Sequence, residues 1–320
     1  MTSSGTYPWH KSVWDRPDNL KNLPHALMIA GARGLGKRSL ATRLAERLLC
    51  MAPTATHGCG NCKGCHLFQA GTHPDLLLVE PEESKKEIVI DQIRALAEFM
   101  ALRPHTAAHK VALIFTADNL NLHAANGLLK MLEEPPAGSY LLLASDQPGR
   151  LLPTIRSRCV RLDLVPPPID QGIAWLRTQT SEPEALLRLS LGAARQAPLG
   201  ALRLLEQGDG ARLATLLVDL EALTTGHTDP ATVAAVWKKA GSAFALDWLQ
   251  GWLADALAAR QIAPDPLQAS LAHMDPSNLH RFLDAVTETR RLVHEPLDEL
   301  LLLEDLLIRW LRLRSVRARG

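Results

Sequence analysis

The feature that most constrains the fold of this 320-residue chain is a glycine-rich loop between an apolar run and a helical pattern. The apolar run spans Ala26 to Ala30, and the loop that follows carries Gly31, Gly34, Gly36 and Lys37. This order and spacing match the P-loop, in which backbone N–H groups cradle phosphate at the start of a helix and the lysine reaches the outer phosphates. The loop therefore predicts a strand, a phosphate cradle and a helix within an α/β fold.

Arg38 departs from the P-loop pattern, because it stands where the pattern has Ser or Thr. The missing hydroxyl is a magnesium ligand, and a guanidinium cannot coordinate a cation. The neighbouring Ser39 cannot take over, since it lies about 100° further around the helix. The sequence predicts a site that keeps the cradle and Lys37 but lacks the metal, which leaves open whether ATP still binds.

An active ATPase of this architecture also needs an apolar strand that ends in Asp-Glu, to orient magnesium and to activate water. The candidate strand runs from Lys110 to Ile114, and Phe115 and Thr116 follow it. Neither side chain can do either task. Asp118 lies beyond the strand, where we expect it to cap the next helix. Together with Arg38, these losses predict that the chain has no intrinsic ATP hydrolysis.

Four of the five cysteines lie within sixteen residues, at Cys50, Cys59, Cys62 and Cys65. Structural zinc is held by four converging thiolates or imidazoles, and glycines between closely spaced cysteines allow the tight turns that this requires. The segment 50–65 therefore predicts a zinc knuckle with a closed shell. His57 and His66 remain alternative ligands, whereas Cys159 lies too far along the chain.

Charge and hydropathy limit the classes of partner. The chain carries 35 Lys and Arg against 34 Asp and Glu, a net charge of +1, which disfavours a protein that grips nucleic acid alone through a basic surface. No apolar stretch is long enough to span a bilayer, and the start does not resemble a secretion signal. We expect a cytoplasmic protein with no membrane partner.

The alternation of apolar runs and amphipathic stretches over residues 1–166 predicts a parallel sheet flanked by helices. The expected strands are Ala26–Ala30, Leu76–Glu80, Val111–Ala117, Tyr140–Ser145 and Val160–Leu164. A proline-rich linker at 165–168 follows, and all strong periodicity beyond it is helical. We expect an α/β domain at 1–166, a small helical domain at 167–208 and a larger helical domain at 209–320.

Two features of the larger helical domain carry expectations about burial. Trp248 and Trp252 are four residues apart, which favours a core stripe over a binding platform. A final helix from Leu297 to Leu313 is apolar on nearly all sides, so we expect it to be deeply buried or pressed against another subunit. The basic tail from Arg309 to Arg319 is expected to be a solvated end.

Several motifs, in this order, resemble the bacterial clamp-loader AAA+ family. They are the loop from Gly31 to Lys37, the four-cysteine insert, Asn126 to Pro136, and Ser157-Arg158-Cys159. The resemblance implies a RecA-like AAA+ domain, a helical lid and a C-terminal helical collar. It also implies that Arg158 is an arginine finger presented in trans to a neighbour, and that Ser145 occupies the sensor-1 position. The sensor-2 role stays unassigned.

The resemblance further implies a function and its partners. The chain would be a non-hydrolysing member of the DNA polymerase III clamp loader, working with delta and gamma/tau subunits to place the sliding clamp on primed DNA. It would belong to a DNA-directed DNA polymerase holoenzyme without an ATPase site of its own. Two alternatives stay open at this point: an active gamma/tau-type motor subunit, and a zinc-knuckle module that binds nucleic acid.

Overall fold

The computed structural model describes residues 7–14, 23–83, 85–258 and 275–315. The chain forms two compact units, Met1–Gln171 and Gly172–Gly320. The finer division into three domains, with boundaries after residues 166 and 208, stays a prediction. The end of the basic tail, residues 316–320, lies outside the described residues.

The first unit is built on a five-stranded parallel sheet, which confirms the predicted α/β fold. Its strands are β1 (Ala26–Ala30), β2 (Leu76–Val79), β3 (Lys110–Ile114), β4 (Ser139–Ser145) and β5 (Val160–Asp163). They lie in the order β2-β3-β4-β1-β5, so the chain crosses over between non-adjacent strands. The carboxyl ends of parallel strands share one edge, and this places the P-loop, which follows β1, beside the ends of β4 and β5.

Helices cover the sheet, and apolar side chains explain where they pack. The described helices of this unit are α1 (Lys11–Trp14), α2 (Lys37–Leu49), α3 (Lys63–Gln69), α4 (Ile90–Ala101), α5 (Leu122–Glu133) and α6 (Pro153–Arg156). One buried cluster joins the apolar faces of α4, α5 and α6 to the sheet through residues such as Ile93, Leu128 and Ile155. All five residues of β1 and of β3 are buried, as expected for central strands covered on both faces.

Two local expectations are wrong. The strand expected over Val111–Ala117 ends at Ile114, because Thr116 adopts a left-handed conformation with φ 52° and a 3-10 turn follows. Asp118 does not cap the next helix. Asn121 precedes α5, and its side chain accepts the N–H of Ala124 at 2.9 Å, as an N-cap does.

The second unit is all helical, as predicted. Its helices are α7 (Ile169–Leu176, which begins in the first unit), α8 (Glu184–Ala193), α9 (Pro198–Glu206), α10 (Asp209–Thr224), α11 (Pro230–Ala258), α12 (Pro276–Leu292) and α13 (Glu299–Ser315). Gly241 has non-helical angles inside α11, so this element is two helices joined at a kink.

The core of the second unit confirms the stripe expected at Trp248 and Trp252. Both indoles are buried, and they stack with ring centroids 5.7 Å apart. The final helix is buried along one face, where Leu303 and Trp310 belong to the core, whereas Leu301 is 62% exposed. Among the helices of the described residues, none has the length and apolarity required to cross a membrane.

Candidate functional site

The P-loop connects β1 to α2 with the glycines in backbone conformations that favour this residue. Gly34 and Gly36 have φ of 91° and 83°, and Gly36 is the N-cap of α2. A Cβ atom on Gly31 would lie 2.7 Å from the carbonyl oxygen of Leu164, which follows β5. The glycine spacing noticed in the sequence is therefore required by the path of the loop.

The side chain of Lys37 folds back and binds the backbone of its own loop. Its Nζ donates to the carbonyl oxygens of Gly31 and Ala32, both at 2.7 Å, and forms an ion pair with Asp146 Oδ1 at 2.6 Å. An ammonium group has three N–H donors, so three acceptors satisfy it fully. Its side chain is only 6% exposed. A phosphate would have to displace one of these acceptors to reach Nζ.

Asp146 is held in place for this contact by Asp118. The backbone N–H of Asp146 donates to Asp118 Oδ1 at 2.9 Å. This bond explains what Asp118 does at the end of the β3 region instead of capping α5. Ser145, the predicted sensor-1 residue, is the last residue of β4 and is fully buried. Its Oγ has no hydrogen-bond partner within the part of the chain that the structure describes.

Arg38 is fixed between the ends of two other strands. Its guanidinium forms two hydrogen bonds to the Glu80 carboxylate, at 2.7 and 3.3 Å, just after β2. The same guanidinium lies over the ring of Phe115, 4.3 Å from the centroid. The two positions that the sequence predicts to correspond to the magnesium ligands of an active ATPase thus hold a cation and an aromatic ring that contact each other.

Thr116 is the residue that the sequence predicts at the position of the catalytic glutamate of an active ATPase. Its Oγ1 donates to the carbonyl oxygen of Phe115 at 2.6 Å. A β-branched residue in the left-handed region is unusual and costs free energy. The hydroxyl is hydrogen-bonded to the backbone, and threonine has no carboxylate that could act as a general base.

The N-terminal segment 7–14 packs over the P-loop. Trp9 Nε1 and His10 Nε2 both donate to the carbonyl oxygen of Leu35, at 2.9 and 2.8 Å. A Cβ on Gly36 would lie 2.7 Å from two ring carbons of Tyr7. Burial lowers the pKa of His10, and the nearby positive charge of Arg43 adds to this effect, although the bond to Leu35 opposes it.

Arg158 lies far along the chain from these residues, after the short helix α6. Its Nη2 forms an ion pair with Glu133 Oε1 at 2.7 Å, and its Nη1 donates to the carbonyl oxygen of Thr154 at 3.0 Å. The neighbouring Cys159 is buried, and burial raises the pKa of its thiol to about 11. Arg158 is thus an exposed side chain on a backbone anchored by its buried neighbours.

The four predicted cysteines converge. Their sulfur atoms all lie within 4.8 Å of one another, with Cys50 and Cys62 at 3.8 Å and Cys59 and Cys65 at 4.0 Å. Tetrahedral zinc with Zn–S bonds of about 2.3 Å separates its sulfurs by about 3.8 Å, so these residues fit the metal. His57 and His66 are not members of this cluster, which leaves the four thiols as the ligand set.

Backbone N–H groups also point at the sulfurs, as they do in metal knuckles. The N–H of Cys59 donates to Cys50 Sγ at 3.2 Å, and the N–H of Cys65 donates to Cys62 Sγ at 3.4 Å. Hydrogen bonds from the Met51 and Cys65 backbone lower the pKa of Cys62 to about 6, whereas burial raises the pKa of Cys65. Donors of this kind stabilise thiolates, the form that binds metal.

The partners of the site residues are not evident from the sequence. Glu80, Asp146 and Glu133 hold Arg38, Lys37 and Arg158 respectively. Each follows or ends an element of the structure: Glu80 and Asp146 come directly after strands, and Glu133 ends a helix. The rule that polar residues gather where parallel strands end could have indicated the first two.

The family models and the relatives that match this chain are all described as subunits of DNA polymerase III. The family described as "DNA polymerase III, delta subunit" matches residues 11–168, and its C-terminal family matches residues 210–312. The delta-prime subunit of Pseudomonas aeruginosa is 36% identical over 318 residues, which cover 95% of this chain and 97% of that protein. The delta-prime subunit of Escherichia coli K12 is also 36% identical, over 92% and 94%. A tau/gamma subunit of Haemophilus influenzae is 34% identical, but over only 53% of this chain and 25% of its own length.

Proposed function

We propose the function of this chain from its family, since it belongs to the delta-prime subunits of bacterial DNA polymerase III. It is a subunit of the clamp loader, and we infer that it acts as a stator: it hydrolyses no ATP itself and stimulates hydrolysis by a neighbour. The arrangement of Arg38 carries this proposal. A guanidinium bound to Glu80 and Phe115 stands where a hydrolytic site needs a metal-binding hydroxyl and carboxylate.

Lys37 supports the same conclusion. Its three donors are used by Gly31, Ala32 and Asp146, so the lysine contributes to the shape of the loop. A nucleotide that binds here would meet the cradle but no magnesium ligand at Arg38, Phe115 or Thr116. We propose that any ATP bound by this chain is not hydrolysed.

Arg158 is proposed as the arginine finger for the adjacent motor subunit. A guanidinium has five donors, and the described contacts to Glu133, Thr154 and Ser157 leave others free to bind phosphate oxygens. Stabilisation of developing charge on a transferred phosphoryl group is what such a finger supplies. Its exposure on a well-anchored backbone suits presentation to another protein.

The cysteine cluster is proposed to hold structural zinc. Four thiols complete a tetrahedral shell and leave no open position for a substrate, so the metal would stabilise local folding. The knuckle joins the end of α2, the helix that starts at the P-loop, to α3. Loss of the zinc would therefore first change the positions of these two helices.

The partners and domain plan complete the proposal. We place the chain in the cytoplasm with delta and gamma/tau subunits, acting through the complex on the sliding clamp and primed DNA. Residues 167–208 would be the lid and residues 209–320 the collar that holds the oligomer. Leu301 is an exposed apolar residue on the final helix and suits a subunit contact, whereas Leu303 belongs to the chain's own core.

Reconstitution tests this function directly. Clamp loading onto primed DNA is measured with delta, gamma/tau and clamp, with and without this chain. The proposal predicts that loading requires the chain and that the P-loop variant Lys37→Ala, if it folds, supports loading as the wild type does. Efficient loading by the complex that lacks the chain would contradict the stator function.

The motor alternative is disfavoured by Arg38, Phe115 and Thr116 and by the short match to a tau/gamma subunit. The nucleic-acid module is disfavoured by the net charge of +1 and an aromatic content of 4%. Filter binding by the isolated chain separates the nucleic-acid module from a subunit that meets DNA only within its complex. Tight binding of single-stranded or primed DNA by the chain alone would favour the module.

A further inference from the structure

We infer that Glu133 is the positioning residue for Arg158: its carboxylate holds the guanidinium in the orientation from which the finger reaches a neighbour's nucleotide. This inference rests on the proposed role of Arg158. It goes beyond that role by assigning a task to a glutamate at the end of another helix.

The contact has two sides that together fix the plane of the guanidinium. Nη2 pairs with Glu133 Oε1 at 2.7 Å, while Nη1 donates to the Thr154 carbonyl oxygen at 3.0 Å. The Ser157 hydroxyl lies 3.5 Å from Nη1. One terminal nitrogen is therefore anchored by a charge and the other by the turn that precedes Arg158.

Both partners stand on rigid supports. Glu133 is the last residue of α5, whose preceding residues Met131 and Leu132 are buried. Arg158 follows α6, with Ile155 fully buried before it and Cys159 buried after it. Helices α5 and α6 pack against each other in one apolar cluster, so the Glu133 and Arg158 backbones have a fixed separation.

A fixed guanidinium has an advantage over a free one. An unanchored arginine loses side-chain conformational freedom when it binds phosphate, and this loss weakens the interaction. The ion pair removes part of that freedom beforehand, and the described contacts leave Nε and the second N–H of Nη2 for phosphate oxygens. The pair is half exposed, at 36% for Arg158 and 50% for Glu133, so water and a new ligand can reach it.

Glu134 offers a matched control. It is the next residue along, is exposed, and has no contact with Arg158 among the described interactions. Glu133→Gln removes the charge with nearly the same shape, and Glu133→Ala removes the side chain. Arg158→Ala and the double variant Glu133→Ala/Arg158→Ala complete a double-mutant cycle.

The experiment measures ATP turnover by the reconstituted clamp loader with clamp and primed DNA, together with complex assembly by gel filtration. Because exposed ion pairs contribute up to about 1 kcal/mol, kcat should fall about two- to fivefold for Glu133→Gln and Glu133→Ala. KM for ATP and assembly should be unchanged, since a finger acts on the transition state. Glu134→Gln should match the wild type, and the double variant should match Arg158→Ala.

Each result decides the question. Normal turnover by the Glu133 variants, when Arg158→Ala is defective, overturns the positioning role and leaves the finger intact. A rise in kcat overturns it as well, because Glu133 would then compete with phosphate for Arg158. Normal turnover by Arg158→Ala refutes the finger itself. A further fall in the double variant, below Arg158→Ala, would show that Glu133 acts elsewhere.

Discussion

The guanidinium of Arg38 lies over the ring of Phe115, 4.3 Å from its centroid. These residues come from different elements, the first turn of α2 and the residue after β3. We propose that each replaces a magnesium ligand of an active ATPase, and the Arg38 guanidinium that contacts Phe115 also pairs with the Glu80 carboxylate. Restoring one position therefore leaves the other unsuited to metal.

We predict that Arg38→Ser does not create an ATPase. The variant regains a hydroxyl at the P-loop position, but Phe115 and Thr116 still supply neither a metal-orienting carboxylate nor a base. Phosphate release by the isolated variant with magnesium and ATP should stay at the level of the wild type. Turnover at a rate typical of motor subunits would mean that the strand end has been assigned incorrectly.

The Asp146 carboxylate is predicted to stabilise the P-loop through Lys37. Asp146→Ala leaves a buried ammonium with two carbonyl acceptors, and loss of a hydrogen bond to a charged group costs about 1.5 to 3 kcal/mol. Chemical denaturation should show this decrease in the free energy of unfolding. Asp91→Ala is the control, because its pair with Arg94 is exposed and contributes about 1 kcal/mol or less. Equal effects of the two variants would contradict the account of Lys37.

Metal removal is predicted to destabilise the first unit. The purified chain should carry about one zinc for its four clustered thiols. Chelation should lower Tm by more than about 2 to 4 °C, the shift that 1 kcal/mol produces in a domain of this size. Cys62→Ser should lose the metal, whereas Cys159→Ser, at a buried thiol outside the cluster, should keep it. An unchanged Tm without bound metal would refute the zinc site.

We predict that His10, in the segment that covers the P-loop, makes the stability of the fold depend on pH. Its pKa is lowered by burial in the folded chain, so the unfolded chain takes up a proton more readily than the folded chain as the pH falls below about 6.5. The folded state is therefore destabilised by acid. His10→Gln should lose less stability than the wild type between about pH 7 and pH 5, measured by denaturation at each pH. Identical slopes would remove His10 as the cause.

Much of this site could be predicted from sequence because its motifs are local. The P-loop glycines, the cysteine spacing and the replacements at Arg38, Phe115 and Thr116 all lie in short segments whose chemistry depends on residue type. The helical second unit followed from periodicity, and the burial of Trp248 and Trp252 agrees with their four-residue spacing. These inferences needed no knowledge of long-range contacts.

The contacts between residues that are distant in sequence could not be predicted, because they depend on the order of the strands in the sheet. Glu80 meets Arg38 across 42 residues of sequence, and Asp118 meets Asp146 across 28. The sequence predicts a helix cap at Asp118, because an acidic residue before a helix commonly has this role. Asn121 lies closer to the helix start and takes that role, which frees the Asp118 carboxylate for the backbone of Asp146.

The most direct test of the stator account is ATP turnover by the purified chain alone, and then by the complex with delta, gamma/tau, clamp and primed DNA. Wild type, Arg158→Ala and the nearby exposed control Arg156→Ala are compared. The account predicts no turnover by the chain alone, and stimulated turnover in the complex that Arg158→Ala reduces and Arg156→Ala retains. Appreciable turnover by the chain alone, or full turnover by a normally assembled complex with Arg158→Ala, would contradict it.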